Sequence, residues 1–257
     1  MGSLLEGKKG IVLGVANKRS IAWAIAKTLS DHGAQLAFSY QGEKLLSRVQ
    51  PLVEELPGTS PLYSLDVTND EEIAGVADKI KSDFGSLDFV IHSVAFADRK
   101  DLEGNFVDTS RSGYLMAQEV SSYSLVAVSK AFAPLMTDGG SIVTMTYLGG
   151  ERVVQNYNVM GVAKAALESS VRYLAAGLGE QGIRVNAVSA GPVNTLAARG
   201  IAGFTDMLAH VAERAPLKRN VELQEVANTA LFFASPLSTG VTGEVTYVDC
   251  GFNILGM

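Results

Sequence analysis

Short apolar runs of strand length alternate along the whole chain with longer stretches whose apolar residues recur at helical spacing. Residues 10–14, 35–40, 62–67, 88–93, 140–146, 183–188 and 244–249 read as seven strands. Their apolar runs are nearly continuous rather than alternating, as expected when both faces of a strand are covered. Between them, residues 20–31, 112–132, 157–179 and 222–234 carry the helical pattern. Gly33 ends the first of these helices, and Thr68, Asn69, Asp70 and Glu71 form a capping box that opens another after the third strand. Strand and helix in turn, with no low-complexity linker and no internal repeat, specify an α/β fold with a doubly wound parallel sheet.

At 257 residues, 47% of them hydrophobic, the chain fits one domain spanning 1–257 with a large core. No apolar run approaches the ~18 residues of a membrane helix, and the short run after Lys8 and Lys9 is no signal peptide. Glu6 stands where a myristoylation signal after Gly2 would need Ser or Thr. With Cys250 as the single cysteine, an internal disulfide and a cysteine-type zinc site are excluded, and a cytoplasmic protein is expected. His32, His92 and His210 lack metal-motif spacing, so no metal is expected and each reads as a loop or helix-end histidine. A net charge of -6 argues against nucleic acid as a partner.

Chemistry concentrates between Tyr147 and Lys164. In a helix beginning near Tyr157, seven residues turn the chain by about 700°, which returns Lys164 to within roughly 20° of Tyr157. The two side chains then serve one site, and a nearby ammonium would strengthen the phenol as a hydrogen-bond or proton donor. The strand 140–146 delivers Tyr147 to its carboxyl end, where ligands bind in open α/β sheets. At the first strand, Gly14, Ala16, Ser20 and Ile21 replace the usual G-x-G-x-x-G of a dinucleotide loop. At the end of the second strand Gln41 offers neither an acid for a ribose hydroxyl nor an arginine for a 2′-phosphate. No Lys or Arg follows until Lys44, which favours NAD over NADP.

Tyr147, the run Tyr157-Asn-Val-Met-Gly-Val-Ala-Lys164 and the later run Arg184-Val-Asn-Ala-Val-Ser-Ala-Gly-Pro192 resemble the enoyl-acyl carrier protein reductases of bacterial fatty-acid synthesis. That family is a divergent branch of the short-chain dehydrogenase/reductase superfamily. Most of the superfamily spaces tyrosine and lysine as Tyr-x3-Lys, which would need a tyrosine where this chain has Met160. The resemblance extends from about residue 5 to the end and implies the strand order 3-2-1-4-5-6-7.

It also implies roles. Gly14, Ala16, Ser20, Ile21, Gln41, Asp66, Val67, Ser93 and Val94 would contact the nucleotide, with Asp66 and Val67 beside the adenine. Lys164 would hold the nicotinamide ribose, and Val193, Asn194, Thr195, Leu196 and Ala197, past the break at Pro192, would fold over nicotinamide and pyrophosphate. Ala97, Tyr147, Tyr157 and Met160 would line the substrate site, with Tyr157 holding the enolate oxygen. The reaction implied is reduction of the trans-2 double bond of an enoyl thioester, linked to acyl carrier protein or CoA, by NADH. Residues 193–214 read as a mobile substrate lid, and the small residues on several faces of the helix 157–179 agree with the family's homotetramer.

Two rivals are weighed against this. A ketoacyl or alcohol dehydrogenase would use the x3 spacing and a serine a dozen or so residues before the tyrosine, where Tyr147 stands instead. A redox-sensing module without activity would have no use for Tyr147, Tyr157 and Lys164 together. One departure from the family remains. Its lid commonly carries several Lys or Arg, whereas this chain has Asn194, Ala202, Thr205 and Asp206, leaving Arg199 and, further on, Arg214, Lys218 and Arg219.

Overall fold

Residues 3–195 and 202–256 are described by a computed structural model, in which seven strands form a single sheet. The strands are β1 (Lys9–Leu13), β2 (Gln35–Tyr40), β3 (Leu62–Ser64), β4 (Phe89–His92), β5 (Gly140–Thr146), β6 (Ile183–Ala190) and β7 (Val245–Val248). Every pairing is parallel and the order is β3-β2-β1-β4-β5-β6-β7, as the resemblance implied.

Two apolar layers sandwich this sheet because successive side chains of a strand point to opposite faces. Val12, Phe38, Phe89, Ile91, Val143 and Val188 pack on one side, against helices α1 (Ile21–Asp31), α2 (Glu43–Val53) and α8 (Leu223–Ala234). Ile11, Leu13, Val90, Ile142 and Val185 pack on the other, against α3 (Asp70–Asp83), α5 (Ser124–Phe132) and α6 (Asn158–Leu178). Neighbours such as Val90 and Ile91 thus belong to different cores, and both are fully buried. Burying a side chain of this size is worth about 1.5–3 kcal/mol, so a polar residue at either position would be costly.

Several local expectations are corrected. The third strand stops at Ser64 rather than at 67, because Asp66 turns the chain by accepting from the Thr68 amide and hydroxyl at 2.9 and 2.8 Å. With Thr68 occupied there, the cap of α3 is Asn69, whose side chain accepts from the Glu71 and Glu72 amides. The expected helix 112–132 divides into α4 (Arg111–Gln118) and α5, joined by a π-helical turn at Glu119–Tyr123. Ser121 in that turn accepts from the Phe96 amide at 2.9 Å and donates to the Phe96 carbonyl at 3.0 Å, fixing the loop after β4. Helix α2 has no counterpart in the sequence reading, and the last helix before α8 is α7 (Phe204–Arg214). No helix among the described residues is long and apolar enough to cross a membrane.

His92 is neither a loop nor a helix-end residue. It lies fully buried in β4, with Nδ1 3.0 Å from the Thr144 hydroxyl and Nε2 2.8 Å from that of Ser124. Burial, then the positive charge of Lys164, pushes its pKa down to about 3, so the imidazole is neutral. His32 does stand at a helix end, as the cap of α1, whereas His210 lies within α7 with its ring edge-on to Phe252.

Candidate active site

The carboxyl ends of β1, β4 and β5 converge on one edge of the sheet, where the crossover order places a ligand crevice. At β1, Gly14 adopts φ +98°, and a Cβ there would lie 2.0 Å from the Ser93 carbonyl at the end of β4. Only glycine permits that approach. The chain then loops to Ser20, whose hydroxyl accepts from the amides of Ala16 (3.4 Å) and Asn17 (3.5 Å) and donates to the Asn17 carbonyl. Engaged in the loop, the Ser20 side chain does not cap α1; the Trp23 and Ala24 amides donate to the Ser20 carbonyl, so within the first turn it is the Ile21 and Ala22 amides that can meet an anionic group.

The end of β2 meets the end of β3 through a hydrogen bond from Gln41 to Asp66 at 2.8 Å, beside Val67. Burial pulls the Asp66 carboxyl upward, but the hydrogen bonds from Thr68 and Gln41 outweigh it and hold the group below its ordinary range. An ionised carboxylate therefore stands beside Gln41 at the end of β2, the strand end that in dinucleotide folds faces the adenosine ribose. These features, with Ser93 and Val94 leaving β4, fit an adenine dinucleotide. On the far side Val193 is buried against the sheet core, and Asn194 and Thr195 follow it. Leu196, Ala197 and Arg199 lie outside the described residues.

Tyr147 leaves β5 into a 3-10 turn at Leu148–Gly150, and Tyr157 begins α6. The turn and the helix touch backbone to backbone. A Cβ at Gly161 would come 2.7 Å from the Gly149 carbonyl, and one at Gly149 would come 2.4 Å from the Tyr157 ring. The Tyr147 and Tyr157 rings meet edge to face with centroids 5.0 Å apart. Tyr157, Met160, Val159, Ala163 and Ala117 form a small core of their own, against which Ala97 and Tyr147 pack. All four residues assigned to substrate from the sequence are therefore in one cluster.

Lys164 is buried in the same helix and donates to the Met145 carbonyl of β5 at 2.8 Å. Burial brings its pKa down to about 8, against the upward pull of Glu168. The expected strengthening of Tyr157 by this ammonium is overturned. Burial, then Tyr147 and Glu168, pushes the Tyr157 phenol far above its ordinary value, so it is held as a neutral donor. Tyr147 is likewise raised to about 12, by burial and then by Asp249.

Three contributors escaped the sequence reading. Met207 on α7 receives the Tyr147 hydroxyl at 3.5 Å, within the segment read as a lid. Glu168 is buried and accepts from the Thr146 hydroxyl at 2.6 Å; an acid four residues after Lys164 in an alanine-rich helix was its signal. Ser121 left none, since a π turn has no periodicity that sequence displays.

A family model described as enoyl-(acyl carrier protein) reductase matches residues 14–253. The chain belongs to the enoyl-acyl carrier protein reductase family. It is 54% identical over 254 residues to the NADH-named reductase of Bacillus cereus, covering 98% of this chain and 99% of that protein. The NADPH-named reductase of Staphylococcus aureus is 52% identical over 252 residues, with 98% of each covered. The crystal structure of the Bacillus cereus reductase with NADP+ and an indole naphthyridinone superposes with a TM-score of 0.98 at 54% identity, over 100% of both chains. In this reductase, then, the tyrosine pair and the buried lysine occur in the fold that the sequence implied.

Proposed function

We propose that the reductase uses NADH to reduce the trans-2 double bond of enoyl thioesters in fatty-acid elongation, with Tyr157, Tyr147 and Lys164 as its catalytic residues. The observation that carries the assignment is the packing of Ala97, Tyr147, Tyr157 and Met160 into one cluster beside the buried Lys164. When bound, NADH supplies a hydride to the β-carbon. The chain's own part is to stabilise the charge that then develops on the thioester oxygen, which is the large contribution in catalysis of this kind.

Tyr157 does so as a hydrogen-bond donor. Because burial keeps its phenol neutral, its proton is available throughout the physiological range. Lys164, held at the Met145 carbonyl, orients the nicotinamide ribose and contributes positive potential. Tyr147 borders the acyl pocket and links it to α7 through Met207, consistent with residues 193–214 acting as a substrate lid. Gly14, Ala16, Ser20, Ile21, Ser93 and Val94 hold the pyrophosphate and its neighbours, and Gln41, Asp66 and Val67 the adenosine half. Val193, Asn194 and Thr195 are assigned to the nicotinamide side, and the roles read for Leu196 and Ala197 fall outside the described residues. The carboxylate of Asp66 supports NADH as the cofactor, although the Staphylococcus aureus relative is named for NADPH.

Exposed Tyr114, Leu115, Met116, Tyr123 and Tyr173 on and between α4 and α6 support a homotetramer of a cytoplasmic enzyme. Steady NADH oxidation with an enoyl thioester and none with a ketoacyl thioester is the test of the activity. The reverse preference would overturn it.

A further inference from the structure

Glu168 has no part in the mechanism above, yet it is one of the few charged side chains buried in the described structure. It lies four residues after Lys164, hence on the same face of α6 and about one turn further along. Thr146 donates to its carboxylate at 2.6 Å, and Thr146 is the residue between Met145, whose carbonyl receives Lys164, and Tyr147. The last residues of β5 are thus tied to α6 by two parallel links, one to the ammonium and one to the carboxylate. Gly150 closes over this carboxylate, since a Cβ there would stand 2.8 Å from its oxygen.

We propose that Glu168 is a positioning residue that acts through Lys164. Its carboxylate, aimed by Thr146, is the countercharge that keeps the buried ammonium protonated and docked on the Met145 carbonyl. A buried lysine without such a partner loses its proton readily, because burial disfavours the charged form. The other groups around the pair do not take this role. His92 faces Lys164 from β4 and is neutral. Glu151, beyond the 3-10 turn, and Tyr247 on β7 face Glu168, and Arg172 acts on it from the next turn of α6. Tyr157 is neutral as well.

The test removes the charge and leaves the shape. In Glu168→Gln, with lysine labelled for NMR and the Lys164 signal assigned by its loss in Lys164→Ala, the Lys164 titration should fall by about one pH unit or more from its value in the unaltered chain. Glu168→Asp should restore part of the difference. Thr146→Val, which keeps the carboxylate, should change it less than Glu168→Gln does. If the glutamine variant does not fold, Glu168→Asp carries the test, since withdrawing the carboxylate by one methylene should lower the Lys164 titration from that of the unaltered chain, and an unmoved value there overturns the proposal. An unmoved Lys164 titration in Glu168→Gln, or an equal effect in Thr146→Val, overturns the proposal. The titration needs neither cofactor nor substrate, whereas the consequence for NADH rests on the reading of Lys164 given above. If the titration moves and the pH dependence of NADH binding does not follow, the ribose contact fails and the countercharge role stands.

Discussion

The edge of one tyrosine ring rests on the face of the other at Tyr147 and Tyr157, with 5.0 Å between centroids and 74° between planes. Such pairs add roughly 0.5–1.5 kcal/mol beyond their buried area. The phenol of Tyr157 is therefore held in place by packing, and its hydroxyl can be removed without moving the ring. Tyr157→Phe should lower kcat by about a hundredfold or more, the usual loss for one donor to a developing oxyanion, while the Kd for NADH stays within about twofold. Steady-state rates with a fluorescence titration of NADH measure both. Unchanged turnover would remove Tyr157 from the reaction.

Gly161 and Gly149 set the distance between the 3-10 turn and α6. In Gly161→Ala the added methyl meets the Gly149 carbonyl at 2.7 Å, and backbone on both sides leaves it little room to yield. A loss of about 1–3 kcal/mol in stability is expected, together with a fall in kcat as Tyr147 and Tyr157 are pushed apart. Chemical denaturation and initial rates report the two effects, and a variant as stable and active as the original would show that the turn can slide.

The Gln41–Asp66 link predicts cofactor choice. A 2′-phosphate brought near the ionised Asp66 meets like charge, so kcat/KM should favour NADH over NADPH, and Asp66→Asn should narrow the ratio. A native preference for NADPH would mean that Lys44 or Arg19 reaches the phosphate.

Lys164 sets an alkaline limit. Its pKa is lowered to about 8, so the cation is complete below that pH and is lost as pH rises through it. NADH affinity should weaken over the same interval. Lys164→Arg, whose guanidinium keeps its proton, should abolish that limb whatever it does to the absolute affinity. Binding isotherms between pH 7 and about 9.5 would show it, and a limb persisting in the arginine variant would assign it to another group.

For the carrier protein, the distal basic cluster is weaker than its composition implies. Arg219 is engaged by both carboxylate oxygens of Glu225 at 2.6 and 2.7 Å, and Lys218 donates to the Glu213 carbonyl. The advantage of a carrier-linked enoyl substrate over enoyl-CoA should accordingly be small and little affected by salt. Ala202→Lys with Asp206→Lys should lower KM for the carrier-linked form alone. A strong, salt-sensitive preference in the unaltered enzyme that survives reversal of Arg199, Arg214, Lys218 and Arg219 would refute this.

Parallel strands buried on both faces leave continuous apolar runs, which is why β1, β2, β4, β5 and β6 were legible within a residue or two. The Tyr157 to Lys164 spacing was legible for the same kind of reason, since helical geometry is fixed. What sequence did not display depends on side chains meeting across the fold. The cap moved from Thr68 to Asn69 because Asp66 claims Thr68, and Asp66 in turn is met by Gln41 from another strand. The character of the Tyr157 phenol was misjudged because spacing reports a neighbour's direction but not how far burial outweighs its charge. Helix α2 does carry apolar residues at helical spacing in Leu45, Leu46, Val49, Leu52 and Val53, but Pro51 inside it signals a break rather than a helix.

The histidine in β4 carries a consequence of simple counting. Ser124 also donates to the Val120 carbonyl at 2.6 Å, and Thr144 to the backbone carbonyl of His92 at 3.1 Å, so four short contacts surround one imidazole. A neutral ring and two hydroxyls own three hydrogens between them. With the proton on Nε2 the contacts on the serine side are complete and one on the threonine side goes unmet. With the proton on Nδ1 the deficit changes sides. Both tautomers thus find a hydroxyl acceptor at the centre of the core, and in each one only the hydroxyl facing the bare ring nitrogen has to choose between that nitrogen and its backbone carbonyl.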